Sequence, residues 1–181
     1  MKRPRGRPRE YDPEEALDAA MGVFWARGYA ATSLTDLSEA TGMNRPSLYA
    51  AFGDKRSVFL RALHRYSARM AREVGQALAA DDLSEALFDF YARMIDVFLA
   101  GEPGHRGCMV ATSASVEAPA DAEIKEIVRG SVDRLDAALG DRFRRAADEG
   151  LLAGEEARSR GRLATAVLHS LSVRARAGQS R

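Results

Sequence analysis

The stretch TSLTDLSEATGMNRPSLYAAF, from Thr32 to Phe52, decides the fold of the amino-terminal part of this chain. Ser33 can cap a first short helix, with Asp36 placed three residues later to complete a capping box. Gly42 is a natural end for that helix. We expect one face of this helix to be buried through Leu37 and Ala40.

A second helix is predicted directly after the glycine. Asn44 is a suitable cap, Pro46 falls in the first turn, and Leu48 and Phe52 turn inward at a spacing of one helical turn. Two short helices joined by a tight glycine turn are typical of a DNA-binding helix-turn-helix, although such pairs also occur in helical proteins that never bind nucleic acid. The residues left facing outward at the start of the second helix are Arg45, Ser47, Tyr49 and Ala50.

The first nine residues favour DNA binding over that plain helical reading. The run from Lys2 to Arg9 is basic and contains no acidic residue. Its centre, PRGRP, resembles a minor-groove clamp, in which Arg5 and Arg7 enter a narrow A·T groove. A solvated basic tail is the alternative, as is an architectural protein that binds A·T-rich DNA through this arm alone.

A further helix is predicted before the helix-turn-helix. Asp12 caps it, Pro13 opens it, and Arg27 followed by Gly28 ends it. Apolar residues recur at helical spacing within it, which predicts a core made of Leu17, Ala20, Met21 and Phe24.

These residues together resemble the TetR family of bacterial transcriptional regulators. The match runs at the family's spacing through Tyr11-Asp12-Pro13, Phe24, Gly28-Tyr29, Thr32-Ser33-Leu34, Asp36-Leu37, Gly42-Met43-Asn44-Arg45, Ser47-Leu48-Tyr49, Phe52 and Asp54-Lys55. The resemblance implies an all-α fold with a three-helix DNA-binding domain, residues 11–56 after a flexible arm 1–10, and a helical effector-binding and dimerisation domain, residues 57–181. Two positions depart slightly from the family's pattern, Pro46 and the pair Ala50-Ala51.

The resemblance also implies roles for single residues. Arg45, Pro46 and Ser47 become candidates for base-edge contacts, with Asn44 and Ala50 beside them. The candidates for contacts to the DNA backbone are Thr32, Ser33, Thr35, Tyr49 and Lys55.

Composition limits the remaining classes. The 181 residues are 46% hydrophobic, which suits one or two small packed domains, and a net charge of +1 can hide a basic face against an acidic body. A single cysteine excludes an internal disulfide, and neither a signal peptide nor a membrane-spanning run is present, so we expect a cytoplasmic protein without a membrane partner. We predict no metal, no cofactor and no enzyme, because His64, His105 and His169 lack ligand spacing, and Cys108 has no nearby base better than His105 and no orienting group.

From Lys55 onward the pattern predicts a succession of helices. After a break at Asp81-Asp82, a fifth helix has one apolar face through Leu83, Leu87, Phe90 and Met94 to Val97 or Phe98, and a second face through Phe88, Tyr91 and Ile95. Ordinary core packing explains both faces, but the family places its effector pocket among these helices. We therefore predict an effector site, for an apolar or amphipathic molecule, at Phe88, Tyr91, Met94, Ile95, Phe98, Cys108, Met109, Thr112, Ser113, Phe143 and Leu168.

Cys108 follows a loop of glycines and opens a predicted short sixth helix. A cysteine at this place responds to oxidants or electrophiles in some members of the family. A helix start with His105 and Arg106 nearby favours the thiolate, whereas a lone cysteine is more often a small buried apolar residue. Thr112 and Ser113 can contact an effector or simply hydrogen-bond back to their own backbone.

Two long helices are predicted at the carboxyl end. The first runs from Asp121 to about Glu149, and the second follows a polar turn at Gly154-Glu155-Glu156. The family pairs its eighth and ninth helices with their copies, and a ninth helix is expected beyond Gly178, where this chain reaches its end at Arg181. We predict a ligand-responsive homodimeric repressor of a palindromic double-stranded DNA operator.

Overall fold

The computed structural model describes residues 11–101 and 105–181, so the predictions for Arg5 and Arg7 lie outside the described residues. All regular elements in these ranges are helical, which confirms the all-α class. The chain divides into two compact units between Ala62 and Leu63, inside the fourth helix, whereas the predicted domain boundary lay at residue 56. Within these ranges no helix has the length and apolar character needed to cross a membrane.

The amino-terminal unit contains α1 (Pro13–Arg27), α2 (Leu34–Thr41), α3 (Arg45–Phe52) and the beginning of α4 (Lys55–Ala77). The predicted caps are confirmed. The Asp12 carboxylate accepts from the Glu14 N–H at 2.7 Å, and Ser33 and Asp36 form a reciprocal capping box. Gly42 ends α2 in the left-handed conformation, at φ 65°, which glycine adopts without a steric penalty.

The core of this unit is closely packed. The Phe24 ring meets Phe59 edge-on at 5.0 Å between centroids, and Leu37 and Leu48 are fully buried beside the turn. Ala40 is exposed, so its predicted burial is wrong, because α2 is short and only its Leu37 side turns to the core.

The carboxyl-terminal unit continues α4 and adds α5 (Leu83–Leu99), a π-helical turn (Val110–Ala114), α6 (Ser115–Glu117), α7 (Ala122–Asp148) and α8 (Gly154–Arg176). The residues predicted as a polar turn at Gly154-Glu155-Glu156 instead form the first turn of α8, where the Glu156 carboxylate accepts from the Ala153 N–H. The predicted sixth helix is mostly a π turn.

Two glycines bring α7 and α8 into close contact. A Cβ atom added at Gly161 would lie 3.3 Å from the Cα of Gly140, so the two helix backbones touch there without side chains between them. Leu139 and Phe143 of α7 and Leu168 of α8 are buried, together with Phe90 of α5, in the core of this unit.

Candidate DNA-binding face and effector cavity

The start of α3 is held in place by two hydrogen bonds, of which the sequence predicted the Asn44 cap and not the contact from Arg45. The Asn44 carboxamide oxygen accepts from the Ser47 N–H at 2.9 Å, so the residue directly before α3 caps the helix. Arg45 donates through Nη2 to the Thr35 hydroxyl of α2 at 2.7 Å. The Arg45 side chain therefore rests across the two helices of the motif.

The outer surface of α3 is formed by small and polar side chains. Pro46, Tyr49 and Ala50 are exposed together with Arg45, whereas Ser47 is half-buried. A cation with several fixed N–H donors, beside small groups at a helix start, can approach base edges in a major groove.

Three of the predicted backbone-contacting hydroxyls already take part in hydrogen bonds within the unit, Thr35 by accepting from Arg45. Thr32 is buried and donates to the Gly28 carbonyl at 2.6 Å, so its side chain does not face outward, and that prediction is corrected. Ser33 is exposed, but its hydroxyl donates to the Asp36 carboxylate at 2.8 Å as part of the α2 cap. The hydrogen bonds from Ser33, with Arg27 nearby, lower the pKa of Asp36 below its ordinary value.

Lys55 lies at the beginning of α4, and its ammonium stands 4.4 Å from the centre of the Tyr29 ring. This cation–π contact keeps the charge near the surface of the unit. Asp54 caps the same helix by accepting from the Ser57 N–H at 2.7 Å.

The carboxyl-terminal unit contains a cavity of about 490 Å³ that is partly open to solvent and lies within the size range of small-molecule sites. Its walls are mostly apolar and come from α4, α5, the π turn, α7 and α8. The lining side chains and backbone are those of Tyr66, Ser67, Met70, Ala71, Val74, Gly75, Met94, Phe98, Cys108, Val110, Ala111, Ser115, Val128, Ser131, Val132, Arg134, Leu135, Ala138, Leu168, His169 and Ser172.

Four residues predicted for the effector site lie on this cavity: Met94, Phe98, Cys108 and Leu168. Three others lie in the core without lining it. Met109 and Phe143 are buried, and the Tyr91 hydroxyl donates to the Ala164 carbonyl at 2.9 Å.

The remaining effector predictions point elsewhere. Phe88 is 77% exposed, so the predicted second buried face of α5 is wrong there. Ile95 lines a smaller recess of about 230 Å³. Thr112 donates to the Cys108 carbonyl at 2.7 Å, which is the alternative of a hydroxyl bonding to its own backbone, and Ser113 is buried away from the cavity.

Sequence reasoning missed the polar groups of the cavity. Ser67 and Ser131 face each other at 3.1 Å between hydroxyl oxygens, and Arg134 donates to Ser131 at 3.0 Å. Tyr66 is only 1% exposed, and burial, followed by the neighbouring Cys108, raises its pKa well above the ordinary value. For the α7 wall of the cavity, the available sequence signal was the helical spacing of Val128, Val132 and Leu135. This spacing predicts a buried face, and in the structure that face borders the cavity.

The turn that carries Cys108 is tightly held. The Gly107 N–H donates to the Phe98 carbonyl at 3.0 Å, and the Cys108 N–H donates to the Ser172 hydroxyl at 2.8 Å. Gly107 has φ 66°, and a Cβ there would lie 2.5 Å from the Ser172 carbonyl oxygen. Only glycine fits this position, which fixes where the thiol meets the cavity.

A helix-turn-helix unit followed by a helical unit with a largely apolar cavity defines a class of bacterial transcriptional regulators. Residues 16–62 match the family described as "Bacterial regulatory proteins, tetR family". The HTH-type transcriptional repressor ComR of Escherichia coli K12 is 37% identical over 71% of this chain, and this chain covers 62% of the length of ComR, less than two thirds. The uncharacterised HTH-type transcriptional regulator YezE of Bacillus subtilis 168 is 32% identical, with 83% of this chain and 78% of that protein covered.

Solved structures agree with the sequence relatives. A cysteine-substituted form of CifR, a TetR family transcriptional regulator in complex with 26-bp double-strand operator DNA, superposes with a TM-score of 0.84 at 32% identity. The superposition covers 96% of this chain and 92% of that one. The chain belongs to the TetR family.

Proposed function

We propose that the protein is a homodimeric transcriptional repressor that binds a pseudo-palindromic operator and is released from it by a small apolar or amphipathic effector. The observation that carries this proposal is the exposed, capped start of α3 with Arg45 lying across the motif. Relatives that are named as repressors, such as ComR, support the direction of regulation.

Arg45 is the candidate for base reading. Its hydrogen bond to Thr35 uses one of five N–H donors, so the guanidinium keeps enough donors for a bidentate pair with guanine. Pro46 and Ala50 bring small apolar groups to the same surface, and Tyr49 and Lys55 are candidates for phosphate contacts.

Effector control is supported by the cavity of the carboxyl-terminal unit. An occupant changes the occupancy of the operator only through different affinities for the DNA-bound and the free conformation. Because the walls are largely apolar, most of the binding free energy of an effector would come from burial of apolar surface.

A homodimer is supported by the outward side of α8. Leu163, Val167 and Val173 are 63%, 39% and 58% exposed, which is unusual for large aliphatic side chains placed along one helix. Pairing with a second copy of this helix would cover them. Two α3 helices, one in each subunit, would then enter successive major grooves.

The test is selection of bound sequences from a random duplex pool by the purified chain, read by sequencing at two salt concentrations. A palindrome with half-sites about one helical turn apart supports the proposal. Enrichment of A·T-rich sequence without symmetry contradicts it and favours the architectural alternative, in which the basic arm alone binds DNA.

A second candidate mode of control is covalent, because the Cys108 side chain lines the cavity. Its thiolate would add to the β-carbon of an α,β-unsaturated carbonyl compound, forming an S–C bond while the α-carbon takes up a proton. With N-ethylmaleimide as probe, a Cys108→Ser protein should keep operator binding and lose the response. An unchanged response in that variant excludes this mode.

A further inference from the structure

The polar groups on the cavity wall show which kind of ligand it can receive. Ser115 donates its hydroxyl proton to the Ala111 carbonyl at 2.7 Å, and Ser131 donates to the Ile127 carbonyl at 2.8 Å. Since the proton of Ser131 is used in this way, the 3.1 Å contact with Ser67 has Ser67 as its donor. The hydroxyl groups of these three serines therefore already donate to acceptors within the chain and are not available as donors to a ligand.

The other two wall hydroxyls lie beside the Cys108 segment. The Ser172 oxygen accepts from the Cys108 N–H, which leaves the Ser172 proton unused, and the Tyr66 hydroxyl is buried next to Cys108. The wall therefore offers an occupant few neutral hydroxyl donors, of which Ser172 is one.

Arg134 is the wall residue with donors to spare. Its Nη2 donates to the Ser131 oxygen at 3.0 Å, and a guanidinium has five N–H donors. In the described ranges no ion pair is formed by Arg134, and none of the residues that line the cavity is Asp or Glu. His169 on α8 adds ring nitrogens to the same lining.

The placement of Arg134 suits a charged group. The residue is exposed, so its guanidinium marks where the cavity meets solvent, while Met70, Met94 and Leu168 form apolar wall. An anion paired with Arg134 can stay partly hydrated and avoid the large cost of burying a charge. An apolar tail attached to it would fill the interior.

We propose that the cavity binds an apolar molecule carrying one carboxylate, with the carboxylate on Arg134 and the tail between α4, α5, α7 and α8. This inference rests on the proposed effector function and specifies its ligand class. A carboxylate accepts hydrogen bonds and donates none, so it is a suitable partner for the remaining N–H donors of Arg134. A volume of about 490 Å³ holds roughly sixteen water-sized groups, which accommodates a ten-carbon chain with its head group.

The experiment compares decanoate, decan-1-ol and decylamine, which share one tail and differ in the head group. Binding to the full chain is measured by calorimetry without DNA, and operator release is measured separately by fluorescence anisotropy. We expect decanoate to bind about tenfold more tightly than decan-1-ol, and decylamine more weakly than either.

Arg134→Met tests the head-group contact while keeping the aliphatic stem. We expect it to lower the affinity for decanoate about tenfold and to leave that for decan-1-ol unchanged, whereas Arg134→Lys retains most of the preference. Arg144→Met is the matched control, because Arg144 is an exposed arginine on the same helix that pairs with Asp141 and does not line the cavity. Val132→Phe, which narrows the cavity, should weaken decanoate and decan-1-ol alike.

The outcomes separate this inference from the proposed function. Equal binding of decanoate and decan-1-ol, no binding of either, or an Arg134→Met protein that keeps its preference for decanoate, overturns the ligand class. If decan-1-ol alone binds and releases the operator, the class is wrong and the effector function stands. Arg134-dependent binding of decanoate without operator release upholds the class and contradicts effector control.

Discussion

The two units of this chain differ in how closely their apolar groups are packed. Side chains cap helices in both units, Asp12, Ser33 and Asn44 in the first and Asp82 and Asp121 in the second. The amino-terminal unit has an aromatic and aliphatic core between its helices, whereas the helices of the carboxyl-terminal unit leave a partly open cavity of about 490 Å³. The amino-terminal unit is closely packed beneath its outer surface, whereas the carboxyl-terminal unit leaves space that a small molecule can occupy.

Truncation of matched methionines should show the largest difference between the units. Met21 is buried in the first unit, and Met70 is half-buried on the cavity wall of the second. We expect Met21→Ala to cost about 2 to 5 kcal/mol of unfolding free energy and Met70→Ala less than about 1.5 kcal/mol, since Met70 has fewer packing neighbours to lose. Guanidinium titrations measure both, and Trp25, the single tryptophan, reports on the first unit. Equal costs would contradict the contrast.

The Gly107 turn provides a rigid point within the looser unit. Gly107→Ala should cost about 1 to 3 kcal/mol from its left-handed backbone conformation alone, plus the clash with the Ser172 carbonyl. Gly150→Ala is the control, because Gly150 also has a positive φ, 78°, but no atom within 4 Å of an added Cβ. Thermal unfolding monitored by circular dichroism should show the larger loss for Gly107→Ala. If Gly107→Ala loses no more stability than Gly150→Ala, the backbone around Gly107 shifts to accommodate the added methyl group, and the turn is not rigid.

The DNA-binding face should respond to substitution in affinity rather than in stability. We expect Arg45→Ala to lose about 1 to 3 kcal/mol of discrimination against altered base pairs, because the proposed bidentate contact with guanine could no longer form. Lys55→Ala should weaken operator and random DNA alike and reduce the salt dependence by about one charge. Equal losses on operator and random duplex for Arg45→Ala would exclude a base-reading role.

Acid should weaken the α2 cap of the amino-terminal unit. The pKa of Asp36 is lowered by Ser33, so its contribution to stability is complete above the ordinary carboxyl value of 3.8 and is lost as the pH falls below that value toward the folded-state pKa. Below about pH 4 the midpoint of Trp25 fluorescence unfolding should fall more steeply for the native chain than for Asp36→Asn. If the unfolding midpoints of the native chain and of Asp36→Asn change in parallel with pH, protonation of Asp36 does not affect the stability of the unit.

The amino-terminal unit was largely predictable because its signals are local. Ser33, Gly42 and Asn44 act on backbone groups within three residues, and the structure confirms each as a cap. Thr32 and Ala40 were misjudged, since whether they face the core depends on how α1 and α2 pack and not on their neighbours in sequence.

The cavity was predictable only in part, because it depends on contacts between distant segments. Met94 lies on an apolar face that helical periodicity predicted, and the family resemblance led to the effector assignment of Met94 and Leu168, but periodicity cannot tell a filled core from an empty one. Phe88 was assigned to a buried face and is exposed, and the Ser67–Ser131 pair joins residues 64 positions apart. Such a pair leaves no pattern in a single sequence.

The contact between Gly140 and Gly161 has an evolutionary consequence. Where two helix backbones touch, the crossing is set by the main chain, and the outward side chains of α8 take no part in it. The exposed positions Leu163, Val167 and Val173 can therefore change during divergence without moving the hairpin. If these positions govern pairing, duplicated genes could acquire separate partners through surface substitutions alone, while the two glycines stay constant.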